Sequence, residues 1–209
     1  MPSDLQALLV LAKRSSMTLA SDLAQFTPGA PSHNITIAPH WHQGRTSYGG
    51  FSTVLAYRAA SLLAPDLPPL ASAQAAFVGP LAGEVEVRAK LLRRARNTAF
   101  VQTQIESEAG IGHTGTFIFA APRESHVDYE GLPRPEFPPI PAVDDIRSGP
   151  PEFFTSQMQY PDKRLVLGLN SPRLANWHRI TERDGLDTVT ELLCIGDALP
   201  PSVMGLMTE

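Results

Sequence analysis

The sequence predicts an α+β fold in which one long helix lies against an antiparallel sheet. The first observation is a single long helical pattern, residues 51–64, in which apolar residues recur every three or four positions. The second is a series of segments after it in which apolar and polar residues alternate, as in strands with one buried face. Because helices do not alternate with strands along the chain, a parallel α/β sheet is excluded.

The elements of the N-terminal part follow in a readable order. Residues 34–38 alternate and predict a first strand. The helix over residues 51–64 is predicted to be capped by Thr46 or Ser47 and to end before Pro65. The strands after the helix are predicted at residues 72–78, 84–91, 98–106 and 116–120.

Two of these strands have a clear inward face. Alternation predicts that one set of side chains in each strand points toward the helix and the other toward solvent. The inward set of the first strand is predicted to be Val85, Val87, Ala89 and Leu91. In the second strand Ala99, Val101, Thr103 and Ile105 are predicted to share one face, and Phe100, Gln102 and Gln104 the other.

A proline-rich run between residues 133 and 151 divides the chain. Proline lacks a backbone donor and fixes φ, so this run is neither a central strand nor a helix interior. We interpret residues 131–152 as an extended linker between an N-terminal unit, residues 1–130, and the start of a second unit, residues 153–209. The second unit is predicted to contain a strand at residues 153–158 and helices at residues 186–195 and 202–207.

The composition limits the classes of partner. The chain has 209 residues, 43% of them hydrophobic, and a formal net charge of −4, which argues against nucleic acid. The basic run at residues 88–96 is interpreted as the solvated end of a hairpin, with a rim for the phosphates of a nucleotide-bearing substrate as the alternative. One cysteine, Cys194, cannot form an internal disulfide, so we expect a reducing, cytoplasmic location.

The N-terminal stretch, residues 5–12, is apolar but short. It lacks a preceding basic region and a following cleavage site, so we expect neither a signal peptide nor a transmembrane helix, and no membrane partner. We interpret it as a short amphipathic helix that docks on the body or on a partner chain.

Two segments resemble a known family. Residues 44–51, Gly-Arg-Thr-Ser-Tyr-Gly-Gly-Phe, and the helix after them resemble the glycine-pair entry to the central helix of thioesterase-like hot-dog proteins. Residues 197–201, Asp-Ala-Leu-Pro-Pro, resemble the aspartate-containing segment of the second repeat in that family. The chain is thus similar, over residues 34–204, to double hot-dog proteins of the acyl-CoA thioesterase II type.

The resemblance implies a tandem hot-dog fold, with an antiparallel sheet wrapped around a long central helix and a second repeat that is incomplete. It implies that water cleaves a fatty or other acyl-CoA thioester to the acid and CoA, with no metal and no covalent cofactor. The threonine and glutamine that assist the family's aspartate would lie beyond Glu209, so we expect a truncated chain, a divergent member, or a site completed from elsewhere.

The candidate site is built around the glycine pair. Gly49 and Gly50 are predicted to start the helix, where free backbone N–H groups can stabilise the oxyanion of a thioester and the absence of a Cβ lets the acyl group approach. The alternative is that the two glycines only permit a tight turn between strand and helix. Tyr48 and Phe51 are predicted to contact the acyl group, with packing as the alternative for Tyr48. Asp197 is predicted to be the general base or the group that orients water, with a turn cap as the alternative.

The histidines and the known motifs favour no other chemistry. His40 and His42 have a spacing that could bind a metal, but no acidic or cysteine ligand is near them in sequence, so we expect no metal. His113, between glycines, is interpreted as a structural histidine in a turn. The sequence contains neither Gly-x-Ser-x-Gly nor Gly-x-x-x-x-Gly-Lys, which disfavours a serine hydrolase and a phosphate loop.

Two further functions remain open, together with the question of assembly. The first is a non-catalytic protein that binds acyl groups on the same scaffold, because a fold does not dictate a function. The second, enoyl-CoA hydration, is weaker, since no close Asp/His pair stands near Gly49 or Asp197. An incomplete second unit would expose a sheet edge, so we expect a homo-oligomer.

Overall fold

An antiparallel sheet with a helix packed on it forms the centre of the protein. The computed structural model describes residues 18–127, 129, 131–133, 137, 139–161, 174–201 and 203. The described residues form a five-stranded sheet with the order β1-β5-β6-β7-β4, and each neighbouring pair is antiparallel. Its strands are β1 (Ser32–Ile37), β4 (Leu70–Phe77), β5 (Gly83–Arg94), β6 (Thr98–Ser107) and β7 (Gly110–Ala120).

Smaller elements surround this sheet. A two-stranded ribbon pairs β2 with β3, and a three-stranded sheet has the order β10-β9-β8. These strands are β2 (His42–Gln43), β3 (Thr46–Ser47), β8 (Ile146–Arg147), β9 (Met158–Pro161) and β10 (Arg179–Ile180). The helices of the described residues are α1 (Leu19–Leu23), α2 (Gly49–Leu62) and α3 (Thr188–Ile195). The predicted helices at residues 5–12 and 202–207 lie outside the described residues, apart from residue 203.

Helix α2 is the buried centre of the fold. It packs against β5, β6 and β7 and also against α3, so most of its 14 residues are buried. Val54, Leu55 and Ala59 are completely inaccessible to solvent. The prediction of one long helix against an antiparallel sheet is therefore confirmed, although burial extends beyond a single stripe because α3 covers part of the helix.

Several details of the prediction are wrong for local reasons. The N-cap of α2 is Tyr48, without a side-chain cap; the Thr46 hydroxyl accepts from the Leu81 N–H instead. Leu91 is 40% exposed, because the pairing of β5 with β6 shifts register just after it. Residues 154–157 form a 3-10 turn rather than a strand, because the turn brings Phe154 into the core.

Strand β4 is the exposed edge of the sheet. Past Leu70 its side chains are exposed, and Phe77 and Val78 at its end are more than half accessible. Within the described part of the chain, β4 pairs with β7 along one edge only. No helix among the described residues is long and apolar enough to cross a membrane.

A partly buried carboxylate fixes helix α1 to the body. Helix α1, which the sequence analysis missed, begins with a capping box formed by Thr18 and Ser21. Asp22 accepts a hydrogen bond from Trp41 Nε1 at 2.7 Å, and Trp41 stacks on Phe51 of α2. Burial raises the pKa of Asp22, and the bond from Trp41 offsets part of that rise.

We predict that Trp41→Phe destabilises the protein more near neutral pH than in mild acid. Loss of the indole donor leaves a partly buried carboxylate with one partner fewer, at a cost of about 1–3 kcal/mol. The pKa of Asp22 then rises further, so the deficit grows as pH rises through it. Urea unfolding at several pH values measures this, and in an Asp22→Asn background the pH dependence of the deficit should vanish. An equal loss at every pH in both backgrounds would contradict the assignment.

Candidate active site

The start of helix α2 and the end of helix α3 meet at the candidate site. A Cβ on Gly50 would overlap the carbonyl oxygen of Cys194 and lie 2.6 Å from the Tyr48 ring. A Cβ on Gly49 would lie 2.5 Å from Asp197 Oδ2. The structure thus brings together Gly49, Gly50 and Asp197, which the sequence analysis selected from opposite ends of the chain.

Helix α3 determines where Asp197 lies. The helix starts at the N-cap Asp187, whose carboxylate accepts from the Thr190 N–H at 2.9 Å. Although burial opposes it, the bonds from Thr190 and the backbone lower the pKa of Asp187. The helix buries Cys194 against α2 and ends at Gly196, so Asp197 emerges directly over the start of α2.

Asp197 has the electrostatics of a candidate base. The residue is exposed as a whole, but partial burial of its carboxyl group raises the pKa of Asp197 above its usual value, and the Gly50 backbone N–H counteracts part of the rise. A carboxylate with a raised pKa accepts a proton more readily than one with the usual pKa, which general-base catalysis requires.

Tyr48 and Phe51, the predicted acyl contacts, lie in the core. The Tyr48 hydroxyl donates to the Cys194 carbonyl at 2.6 Å, and the Tyr48 ring stacks on Phe154 at 4.0 Å. Burial raises the pKa of Tyr48, which therefore stays neutral. Phe51 stacks on Trp41 with ring centroids 4.4 Å apart. For Tyr48 this geometry matches the packing alternative, since its hydroxyl holds α3 against α2.

A cavity of about 370 Å³ opens beside the glycine pair. Gly49 and Asp197 line it, whereas Gly50 lies beneath them. The rest of the wall combines hydroxyl and amide groups with apolar side chains: Gln43, Thr46, Ser47 and Ser52 on the one hand, and Phe77, Val78, Pro80 and Leu81 on the other. This composition is typical of a small-molecule site, in which a few polar groups orient a largely apolar ligand.

Residues 37–120 match the sequence profile of the acyl-CoA thioesterase N-terminal domain. This part of the chain is similar to the thioesterase-like family. No curated protein matches the chain by sequence.

Solved structures support the hot-dog fold of this chain. A provisionally named thioesterase II from Thermobifida fusca YX is 23% identical and has a TM-score of 0.72, covering 90% of this chain and 74% of that one. A conserved protein of unknown function with the hot dog fold, from Alicyclobacillus acidocaldarius, is 16% identical with a TM-score of 0.71, covering 90% and 71%. A third, provisionally named thioesterase from Novosphingobium aromaticivorans DSM 12444, is 18% identical with a TM-score of 0.63, covering 84% and 72%. At these identities the likeness concerns the fold alone, and it confirms the predicted hot-dog class.

Strand β7 contains a buried histidine whose surroundings the sequence did not reveal. His113 lies in strand β7, not in a turn, and is inaccessible to solvent. Its Nε2 atom is 3.3 Å from Thr53 Oγ1, and its ring packs edge-on against Phe77. Burial lowers the pKa of His113 to about 4, so the ring is neutral at physiological pH. The alternation of apolar and polar residues in β7 could have indicated that His113 points inward, but it could not have indicated the contact with Thr53.

One of the two histidines near Trp41 acquires an acidic neighbour through the fold. Asp22 Oδ2 is 4.0 Å from His40 Nε2, a proximity that cannot be read from their positions in the sequence. In the described part of the chain, no group of three or more His, Cys, Asp or Glu residues could hold a metal ion.

The basic run lies at the far end of helix α2. Arg94 bonds to Asp66, just beyond the end of the helix, at 2.8 Å. The 14 residues of α2 span about 21 Å, so this hairpin is roughly one helix length away from the glycine pair. This arrangement agrees with the interpretation of residues 88–96 as the solvated end of a hairpin. A phosphate-binding rim at this position would have no direct contact with Asp197.

We predict that Gly50→Ala destabilises the protein by about 1–3 kcal/mol, because the new Cβ must displace the Cys194 backbone. Gly49→Ala is the matched comparison: its Cβ meets the movable side chains of Asp197 and Phe77, so we expect a smaller loss. Urea unfolding of both variants measures the difference. Equal stabilities would contradict the proposed close approach of α3 to α2.

Proposed function

We propose that the protein hydrolyses acyl-CoA thioesters to the free acid and CoA, with Asp197 as the general base. The observation that carries the proposal is the Asp197 carboxylate, with its raised pKa, at the glycine-lined start of α2 beside a cavity. The thioesterase-like family and fold support this class of reaction; the acyl-CoA substrate is part of the proposal.

The reaction follows from the chemistry of the helix start. The first N–H groups of a helix have no intrahelical acceptor and lie at the positive end of its dipole. Because Gly49 lines the cavity whereas Gly50 is buried, we assign the thioester carbonyl oxygen to Gly49 N–H. Asp197 removes a proton from water as the water oxygen attacks the carbonyl carbon. The tetrahedral intermediate then breaks its C–S bond, and the proton returns to the departing thiolate.

The wider features of the proposal follow the sequence interpretation. We assign Tyr48 and Phe51 to the support of the site, since both pack in the core behind it. We propose that residues 153–209 begin a second hot-dog unit after the linker at residues 131–152, with α3 as its helix. The mechanism needs no metal and no covalent cofactor, and a cytoplasmic location remains our expectation.

We predict that Asp197→Asn lowers turnover of acyl-CoA at least about tenfold, because the amide cannot accept a proton. The assay detects the released CoA thiol across acyl-CoAs of increasing chain length. In the wild-type protein, activity should fall as pH drops through the Asp197 pKa, which lies above the usual 3.8. Asp184→Asn, at an exposed carboxylate in a turn, is the control and should retain the wild-type rate.

The same assay separates hydrolysis from binding alone. Acyl-CoA binding in calorimetry, without thiol release, would refute the hydrolase and support the alternative, a non-catalytic acyl-binding protein. A wild-type rate in Asp197→Asn, with hydrolysis intact, would remove Asp197 from the mechanism.

We predict that the protein self-associates through the exposed edge of β4. Phe77 and Val78 at the end of this strand are more than half accessible, and such apolar edges are usually covered. Light scattering coupled to size exclusion should give a mass above 22.6 kDa for the wild-type chain and a lower mass for a Phe77→Lys, Val78→Lys variant. A monomeric wild-type protein would contradict the prediction.

A further inference from the structure

The far end of the hairpin formed by β5 and β6 carries an unbalanced positive charge. Residues 87–105 contain five basic residues and no acidic one, although the chain as a whole has a formal net charge of −4. Two of the five, Arg88 and Arg94, bond to nearby carboxylates. The other three are exposed and form no ion pair with any described residue: Lys90, Arg93 and Arg96.

Two exposed leucines lie between these cations. The pairing of β5 with β6 shifts register between Leu91 and Arg93, so Leu92 is the extra residue of a β-bulge. Leu91 is 40% exposed and Leu92 is 50% exposed. Single exposed leucines are common on protein surfaces, whereas here two successive ones lie within a run of cations. We call this surface, residues 90–96, the hairpin tip.

The hairpin tip lies at a corner of the sheet. Strand β1 pairs with β5 only as far as Arg88, so among the described strands the rest of β5 has β6 as its one neighbour. The turn closes just beyond it, where the Ala95 N–H donates to the Thr98 carbonyl at 2.8 Å. The tip is therefore bounded by an open edge and by the end of the hairpin, and it can approach a flat surface.

An anionic lipid bilayer fits this corner better than other anionic partners. Nucleic acid is held mainly by cations on its phosphates, and exposed leucines add nothing to such contacts. A stable protein interface uses about 20–30 residues on each side, far more than the seven of the tip. At a bilayer, basic side chains attract the charged headgroups while leucines reach the acyl boundary. The negative charge of the rest of the chain is repelled, which turns the tip toward the bilayer.

We propose that the hairpin tip is a peripheral binding surface for membranes that contain anionic lipids. Leu91 and Leu92 enter the headgroup region, and the three unpaired cations bind lipid phosphates. The expectation of no membrane partner rested on the sequence's lack of spanning and targeting segments, and binding at the surface needs neither. The inference is independent of the proposed function, because its tests measure binding and not thiol release.

The first test compares two kinds of vesicle by co-sedimentation of the purified protein. One contains phosphatidylcholine alone, and the other also contains about 30% phosphatidylglycerol, which supplies the negative surface potential. We expect binding to the anionic vesicles at least about tenfold tighter than to the neutral ones. Raising the salt from about 0.05 M to about 0.5 M should weaken it, because salt screens the attraction.

The second test removes charge from the tip. Arg93→Gln combined with Arg96→Gln should weaken binding to anionic vesicles about 10–30-fold, since each cation near such a surface contributes about fivefold. Arg45→Gln combined with Arg179→Gln is the matched control, because it removes the same charge from exposed arginines outside the tip. The control should bind like the wild-type protein within about twofold.

The third test concerns the leucines. Leu91→Ser combined with Leu92→Ser should weaken binding about tenfold, through the loss of apolar surface that the bilayer would cover. Leu192→Ser, at a leucine on α3 that is 57% exposed, is the control and should have no effect. In addition, Leu92→Trp places an indole at the tip. Its emission, after subtraction of the wild-type spectrum, should move to shorter wavelengths on anionic vesicles and be quenched by lipids with brominated acyl chains.

The outcomes decide between the bilayer and other partners. No binding to either vesicle, equal binding to both, or wild-type binding by the tip variants would overturn the proposal. Weaker binding by the arginine variant together with unchanged binding by the leucine variant and unquenched Leu92→Trp would also overturn it. If the protein then bound soluble polyglutamate as well, the tip would be a site for acidic protein segments instead.

Discussion

The close approach of two backbones, at the start of α2 and the end of α3, is the constraint on which the site depends. A side chain at residue 50 would occupy the place of the Cys194 carbonyl, so glycine is required there for steric reasons before any chemical ones. The Tyr48 hydroxyl then ties that carbonyl to the start of α2. Because Asp197 follows Cys194 by three residues, the same contact also determines where the carboxylate lies.

The environment of Asp197 has two opposing effects on its charge. Partial burial of the carboxyl group disfavours the charge, whereas the Gly50 N–H, at the positive end of a helix, favours it. The net result is a carboxylate that is more basic than usual. Tyr48 and Cys194 beside it remain neutral because burial raises the pKa of both.

Sequence patterns were sufficient for the features that depend on periodicity or on a short motif. The alternation in β5 and β6 and the spacing in α2 predicted the sheet and its helix. The prediction that Leu91 faces inward was wrong, because a register shift between strands is not visible in the alternation of one sequence segment. The glycine pair and Asp197 were found by motif. The contact between Thr53 and His113 was missed, because it depends on how α2 is positioned on β7, and an isolated sequence does not contain that geometry.

We expect the protein to unfold in two thermal steps, of which the first is the release of helix α3 from the body. It has only eight residues, and a helix shorter than about 12–15 residues has little stability of its own in water. Its order therefore comes from docking on α2, and release of such a segment costs less free energy than melting the sheet. On warming, the carboxylate would leave Gly50 while the strands remain paired. We therefore expect the docking of one short helix, rather than the stability of the core, to limit the temperature range in which the candidate site is intact.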